Sequence, residues 1–569
     1  MLISPSAHAR IFLEEAKWSA RDYNTKLGTS ALALMAEHLI VPALLPNPSV
    51  PVLRIHRSRR LREDWTYSLV ALGSSTSQWR DWGTKTLGDL MATREPFAPL
   101  VRTGRRTQDP SSETVDVVQL EEVSVAFLRA CNPGQSVALV PVRPPIEYLY
   151  NLAAYVEATI QDPVLAVSDE CTTWRPRLLR EHAIAEVATA IRDQSLPVVV
   201  QGPPGTGKSY LAAEIVSSYL REGKTACVTS LTHRALMEVA AKPALKNYAE
   251  AGRVRKLGLS TAELKELGTL EPADARTVAS GQLLLITYHA LSQWAEALPA
   301  RPVYDLLVIE EASQAFLATL SLFVRLAERV LIIGDPQQLP PIFQHERQAF
   351  AHLPDKQAGK SALNGLATFA YNGDVHGARL TRTYRLGPRA ASFTGTFYDD
   401  TLESAALGLA LPPAAMGSSP DGLLKTTQPT DGPVLVRLPS EVDSPIAWVM
   451  GQIADLVRSA PSASVAVLLP RSSSVRDAQA LKAAYSCLVE VRVETVDRMQ
   501  GATVDYAFFV LGRLASGFGL DPSRFNVATS RARRSTWIVV QGQGSAAAWS
   551  GGAVGQYWQR LVAEGHGVD

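Results

Sequence analysis

The sequence predicts an α/β protein with two tandem parallel-sheet domains of the P-loop type, preceded by a smaller β-rich accessory domain on a helical stalk. Three observations predict it. Gly202 to Ser209 reads Gly-Pro-Pro-Gly-Thr-Gly-Lys-Ser, set between the apolar run Val198-Val199-Val200 and the amphipathic stretch Leu211, Ala212, Ile215, Val216, Tyr219. That is the strand, loop, helix order of a P-loop. Apolar segments then alternate with helical patterns in the manner of βα units. No second Gly-Lys-Ser follows any later strand, so the second domain is expected to share the architecture without a phosphate loop of its own.

In chain order, residues 1–175 hold strand-like pieces, Pro51 to Ile55, Tyr67 to Leu72 and Val115 to Leu120. The polar segment Thr103 to Thr114 separates them, and a helical stretch from Ile146 to Ile160 follows. Residues 176–345 form the first α/β domain. Its buried strands are Ala226-Cys227-Val228, Leu283 to Ile286, Leu306 to Ile309 and Val330 to Ile333. Residues 346–569 form the second, with a strand series from about 375 that takes in Val434 to Val436, Val465 to Leu469, Val489 to Val493, Phe508 to Leu511 and Trp537 to Val540. The Pro/Gly/Ser-rich stretch Leu411 to Gly422 reads as a loop within it.

Composition narrows the class. With 569 residues, 46% apolar and 20% charged, the chain has ample material for packed cores and no run long enough for a membrane span. Glu14 and Glu15 stand where a secretory signal would be apolar, and the closest pair of the four cysteines, Cys131 and Cys171, is 40 residues apart. A cytoplasmic protein with reduced thiols is expected. The net charge of +1 neither demands nor excludes a polyanionic partner. One basic run, Arg54 to Arg62, is a candidate for phosphate contacts, and a solvated strand face is the equal alternative.

The turn Gly202, Pro203, Pro204, Gly205, Thr206 and Gly207 is expected to cradle phosphates with its free backbone N–H groups and the helix N-terminus behind it. Lys208 is expected to reach the β- and γ-phosphates and the Ser209 hydroxyl to ligate Mg²⁺. Asp305 to Glu311, Asp-Leu-Leu-Val-Ile-Glu-Glu, is an apolar strand ending in two carboxylates. Glu310 is expected to hold the Mg²⁺ water shell, and Glu311 to orient and deprotonate the attacking water.

Gly334 to Pro341, Gly-Asp-Pro-Gln-Gln-Leu-Pro-Pro, resembles motif III of the superfamily 1 helicases, a family of motors with two RecA-like domains. Leu380 to Pro388 resembles motif IV, and Phe397-Tyr398 with Leu402 is similar to a segment of the up-frameshift and senataxin branch. Thr495 to Gly501 resembles motif V and Asn526 to Arg533 motif VI, in family order. The resemblance implies that Gln338 senses the γ-phosphate, that Tyr384 stacks on adenine, and that Arg385 and Arg531 reach across the interdomain cleft as arginine fingers. It further implies strand contacts from Thr232 with His233, Thr287 with Tyr288, and Thr495.

Departures from the pattern are informative. His182 stands where the family has the base-reading Gln, and Thr503 where it has a carboxylate for the ribose. Leu469 to Ser474 lacks the usual aromatic. The resemblance implies an ATP- and Mg²⁺-dependent helicase moving 5′ to 3′ on single-stranded DNA or RNA. An ATP-gated clamp without net unwinding is the alternative, and a small-molecule kinase leaves motifs III to VI unexplained.

Overall fold

The computed structural model describes residues 4–59, 61, 66–73, 79–92, 96–159, 176–354, 364–372, 376–406, 431–513, 519–541, 551–564 and 567–568. The stretch Leu411 to Gly422 lies outside them, as do Arg60 and Arg62.

Six strands close an antiparallel barrel: β1 (Val41–Leu45), β2 (Val52–His56), β3 (Thr66–Ala71), β4 (Phe97–Gln108), β5 (Val115–Glu122) and β6 (Gln135–Pro141). Their order is β1-β2-β5-β4-β3-β6. Alternate residues point inward, so Leu53, Ile55, Tyr67, Leu69, Val101, Val118 and Leu139 share one core. The expectation that Thr103 to Thr114 separates strands needs correction. Thr103 to Gln108 belong to β4, paired with β5 through Thr103 with Leu120 and Arg106 with Val118. Pairing with an apolar neighbour recruits polar residues into a strand whose outer face is solvated.

The basic run is partly spent inside the barrel. Arg54 donates to Asp109 at 2.5 Å, while Arg57 and Arg106 grip the two oxygens of Asp116 at 3.0 and 2.8 Å. Concentrated free positive charge is therefore not what Arg54 and Arg57 present.

The stalk has a second helix that the sequence reading did not include, Pro5–Leu27. Ser4 caps it, accepting from the Ala7 N–H at 3.2 Å, and Pro5 stands at its first turn. It buries Ala9, Phe12, Ala16, Ala20 and Tyr23 at helical spacing. The helix packs along Ile146–Ala158, and Phe12 meets Phe316 edge-on at 5.3 Å. Glu15 accepts from the N–H groups of Gln344 and His345 at 2.9 and 3.0 Å, tying the stalk to the chain leaving motif III. The barrel is tied to the first α/β domain by Val125 N–H to Leu259 O and Thr261 N–H to Val123 O, each 2.9 Å.

The first large sheet contains β7 (Arg177–Leu179), β8 (Val198–Gln201), β9 (Ala226–Ser230), β10 (Val254–Leu257), β11 (Glu271–Ala273), β12 (Leu283–Thr287), β13 (Tyr304–Ile309), β14 (Ala327–Gly334) and β15 (His376–Leu380). The order is β11-β10-β12-β9-β13-β14-β8-β15-β7, with every pairing parallel. Helices cover both faces, so the central strands are apolar throughout. This sheet runs past residue 345. Ala378 pairs with Val200, so β15, expected to open the second series, completes the first.

After a short pair, β16 (Arg382–Thr383) and β17 (Glu403–Ser404), comes the second large sheet. It contains β18 (Gly432–Leu438), β19 (Val465–Leu469), β20 (Arg492–Thr495), β21 (Val504–Arg513), β22 (Ala532–Gln541) and β23 (Gly567–Val568), in the order β20-β19-β21-β22-β18-β23. The strand expected over Val489 to Val493 begins later, because a tight helical turn over Ser486–Leu488 leaves Val489 70% exposed. Among the described residues no helix is long and apolar enough to cross a membrane.

Candidate nucleotide and nucleic-acid site

The P-loop joins β8, which is buried along its length, to the helix Lys208–Arg221. That helix buries Leu211, Ile215 and Val216, each contributing about 1.5–3 kcal/mol of apolar burial. Gly207 has φ 82° at its N-cap, a left-handed backbone that only glycine adopts without strain. The loop is braced from β14 by Gly202 N–H to Gly334 O at 2.9 Å. Lys208 Nζ folds back to donate to Gly202 O at 2.7 Å. Desolvation lowers the Lys208 pKa, with partial relief from the Asp335 and Glu310 carboxylates. An incoming phosphate restores the stabilisation this ammonium lacks.

Both acidic residues lie where β13 ends. Glu310 is buried, its N–H donates to Thr229 O at 2.8 Å, and its Oε2 accepts from the Glu311 N–H at 3.1 Å. Its Oε1 is buried without a hydrogen-bond partner among the described residues. Desolvation raises its pKa, opposed by Lys208, by the Glu311 N–H and by the Ser209 hydroxyl. One orphaned carboxylate oxygen beside one hydroxyl fits Mg²⁺, which takes few protein ligands and completes its shell with waters and phosphate oxygens.

Glu311 sits at φ 52°, in the left-handed region that a non-glycine residue enters at a cost. Its Oε2 accepts from the Thr232 hydroxyl at 3.4 Å. Desolvation first, then the negative charges of Glu310 and Glu238, push its pKa up to about 7. A carboxylate poised there accepts a proton far better than an ordinary one.

The P-loop residues Pro204 to Ser209 line a cleft of about 370 Å³ together with Glu310, Glu311, Gln338, Tyr384, Arg385, Thr503 and Arg531. Gly202 and Pro203 stand behind it, their carbonyls holding Lys208. Arg531 is buried, and its guanidinium donates to Val527 O, Ala502 O and the Ser530 hydroxyl. Among the described residues no carboxylate lies within ion-pair distance of Arg385 or Arg531. Desolvation pulls Arg385 down to about 10; desolvation and then the charge of Arg385 pull Arg531 down to about 9. Two cations so placed are short of an anion.

Arg385 differs from expectation in one respect. Its segment leans on the P-loop itself, through Tyr384 N–H to Gly205 O and Thr383 Oγ1 to Pro204 O, both 2.8 Å. It therefore hangs over the P-loop from the connection between the sheets, while Arg531 comes from the second sheet's side. Tyr384 is 65% exposed and faces a larger hollow of about 890 Å³. His182 lines the same hollow, at φ 57° on the N-cap of Ala183–Asp193.

The strand-contact candidates divide. Thr232 follows β9 and Thr287 ends β12; the two strands lie side by side with Ser230 opposite Thr287, at the carboxyl ends where open α/β sheets bind ligands. Each caps a helix, accepting from Ala235 N–H at 3.2 Å and Ala290 N–H at 3.4 Å. His233 Nδ1 lies 2.7 Å from the Lys256 ammonium, and Thr495 Oγ1 accepts from the Arg498 N–H at 3.4 Å. Tyr288 must be corrected: its side chain is 0% exposed in the core, its hydroxyl donating to Glu310 O at 2.6 Å. It supports the floor of the site and cannot touch a strand.

Among the cleft residues to which the sequence assigns no role are Glu238 and Lys242. They lie on or just after the helix His233–Ala240, and nothing in their local pattern distinguishes them from solvated helix residues.

A P-loop, paired acids and two arginines converge between two parallel sheets, the site architecture of a P-loop protein with tandem RecA-like domains. Residues 181–385 match a family model described as AAA domain, and residues 443–543 match a second model of that description. The chain is similar to the Saccharomyces cerevisiae DNA replication ATP-dependent helicase/nuclease DNA2, 25% identical over 218 residues, which are 37% of this chain and 13% of that protein. The chain thus matches only a small part of that relative's length. Among solved structures, an Arterivirus nonstructural protein 10 (helicase) in complex with DNA is 13% identical with TM-score 0.35, covering 85% of this chain and 78% of that one. Escherichia coli DEAH/RHA helicase HrpB is 13% identical with TM-score 0.35, covering 64% and 42%.

Turnover is expected to follow the ionisation of Glu311. The base works deprotonated, so with a pKa of about 7 the rate should fall by about tenfold per pH unit below that value and level off above it. At alkaline pH a decline in kcat/KM is expected as Lys208, whose pKa is lowered in the nucleotide-free protein, loses its proton. A pH profile of kcat under saturating nucleotide checks the acid limb, and one of kcat/KM the alkaline limb. A flat profile from pH 6 to 8, read on the scale of the one-proton dependence, would reject Glu311 as the base.

Proposed function

We propose that this chain is a superfamily 1 motor of the up-frameshift and senataxin type, which hydrolyses Mg²⁺–ATP to move 5′ to 3′ on single-stranded DNA or RNA. The observation that carries the reading is the pair of guanidiniums, Arg531 buried and Arg385 half-buried, that line the cleft with Lys208 and have no carboxylate within ion-pair distance among the described residues. Such an arrangement is complete only around a triphosphate. Lys208 holds the β- and γ-phosphates, Ser209 and Glu310 hold Mg²⁺, and the ion neutralises phosphate charge when bound. Glu311 takes the proton of the attacking water, Gln338 contacts the γ-phosphate, and the two arginines meet the charge that develops as the phosphorus–oxygen bond breaks.

Direction rests on the resemblance of the motif series, and strand contact on Thr232, His233, Thr287 and Thr495. The hydrogen bond from Thr232 to Glu311 supports a link between strand and chemistry, since one hydroxyl adjoins both. The deciding experiment compares ATPase stimulation by single-stranded DNA and RNA of matched sequence, followed by strand displacement on forked duplexes with a single 5′ or 3′ tail. Displacement from the 5′ tail supports the proposal. Tight ATP-dependent binding without displacement would replace the motor with a clamp.

His182 and Thr503 in place of an amide and a carboxylate should weaken base and ribose selection. Discrimination between ATP and GTP is expected to stay under about 100-fold, below what a well-read polar edge supplies. Comparing kcat/KM for ATP, GTP and dATP tests this, and a larger preference would show that other groups read the base.

A further inference from the structure

Asp335, buried where β14 ends, holds together side chains from three places in the chain. Its Oδ1 accepts from Gln201 Nε2 at 3.2 Å and from the Gln337 N–H at 3.2 Å. Its Oδ2 accepts from Gln338 Nε2 at 2.9 Å and from the Tyr398 hydroxyl at 2.6 Å. The same hydroxyl accepts from Asn526 Nδ2 at 2.7 Å, and Asn526 Nδ2 also donates to Gln337 O at 2.9 Å. Asn526 lies on the helix Pro522–Thr529, five residues before Arg531, which follows the helix end at Ser530. Both Tyr398 and Asn526 are 0% exposed.

We propose that the Tyr398 hydroxyl is a positioning group for hydrolysis, coupling Gln338 in the first domain to the helix that aims Arg531 from the second. The proposal rests on the functional reading above. One oxygen donates to the carboxylate that orients Gln338 and accepts from the amide one helical turn before Arg531. Any displacement of Gln338 toward a γ-phosphate disturbs Asp335 and is felt at Asn526 without passing through solvent. Burial and the adjacent Asp335 charge raise the Tyr398 pKa well above its ordinary value, so the hydroxyl keeps its proton and remains a donor. Tyr398 also has a fixed place to stand: its carbonyl accepts from Arg379 Nη1 at 3.1 Å, while Arg379 Nε donates to Gln201 Oε1 at 2.7 Å, closing the ring of contacts around Asp335. The surroundings of the hydroxyl are thus held independently of it.

The test is a double-mutant cycle on the full chain with Tyr398→Phe, Asn526→Ala and both together. Steady-state kcat and KM for ATP and thermal unfolding are measured without nucleic acid, then with poly(dT) and poly(U). Tyr398→Phe keeps the ring and removes one oxygen. It should lower kcat by about tenfold, leave KM within about twofold, and leave the unfolding midpoint near wild type. The double variant should be no slower than the slower single, because both changes cut one link. Wild-type kcat in Tyr398→Phe, multiplicative losses in the double variant, or a kcat loss matched by a falling midpoint would each overturn the proposal. A wild-type protein whose turnover neither polymer stimulates would instead sink the motor reading, and the cycle on basal kcat would still decide the role of Tyr398.

Discussion

Arg531→Ala is expected to slow ATP turnover by about 10³- to 10⁵-fold, the span typical of an arginine finger, with a much smaller change in nucleotide affinity. The guanidinium is buried, receives no carboxylate among the described residues, and is pulled down to about 9 by desolvation and by Arg385. Its charge is a liability in the nucleotide-free protein and an asset when charge spreads over the phosphoryl oxygens. Stability should therefore hold, or rise slightly, when it is removed. Arg531→Lys should not rescue the rate, since a point charge cannot reproduce the planar fork already anchored on Val527 O and Ala502 O. Single-turnover hydrolysis with thermal unfolding on the same samples checks this. Parallel loss of stability and activity would recast Arg531 as a structural residue.

Glu311→Gln should hydrolyse ATP at least roughly 100-fold more slowly while still binding nucleotide, because the amide keeps the shape of the side chain and loses its basicity. Two further consequences separate a base from a bystander. The decline in rate below about pH 7 should disappear with the group that causes it. ATP should also stabilise this variant against unfolding as it does the wild type, since binding to the native state raises stability whether or not turnover follows. Near-wild-type single-turnover rates would refute the assignment.

Much of the lining of the cleft was legible in the sequence because its elements are local. Gly202 to Ser209 is one loop, and its function follows from backbone N–H groups and side chains a few residues apart. Glu310 and Glu311 are adjacent just past the end of one strand, β13, and both line the cleft with the P-loop although β14 separates that strand from β8. The motif series supplied Arg385, Gln338 and Arg531, and all three line the cleft with Lys208. Tyr288 shows the limit. An aromatic after a strand-end Thr resembles a groove residue, but the direction of the ring depends on whether its helix turns toward solvent or core, and here it turns inward.

By itself the sequence determined the α/β class, the phosphate loop, the paired acids and the order of the motifs, since each depends on residues near one another in the chain. Only the tertiary structure decided that β15 belongs to the first sheet, that Thr103 to Gln108 form a barrel strand, and that Arg54 and Arg57 are held by carboxylates. It alone brought Asp335, Tyr398 and Asn526 within hydrogen-bond reach. The physical reason is common to all of them. Strand partners, ion pairs and buried hydrogen bonds join residues tens to nearly two hundred positions apart, and their selection depends on how whole layers pack, which no local pattern of residues encodes.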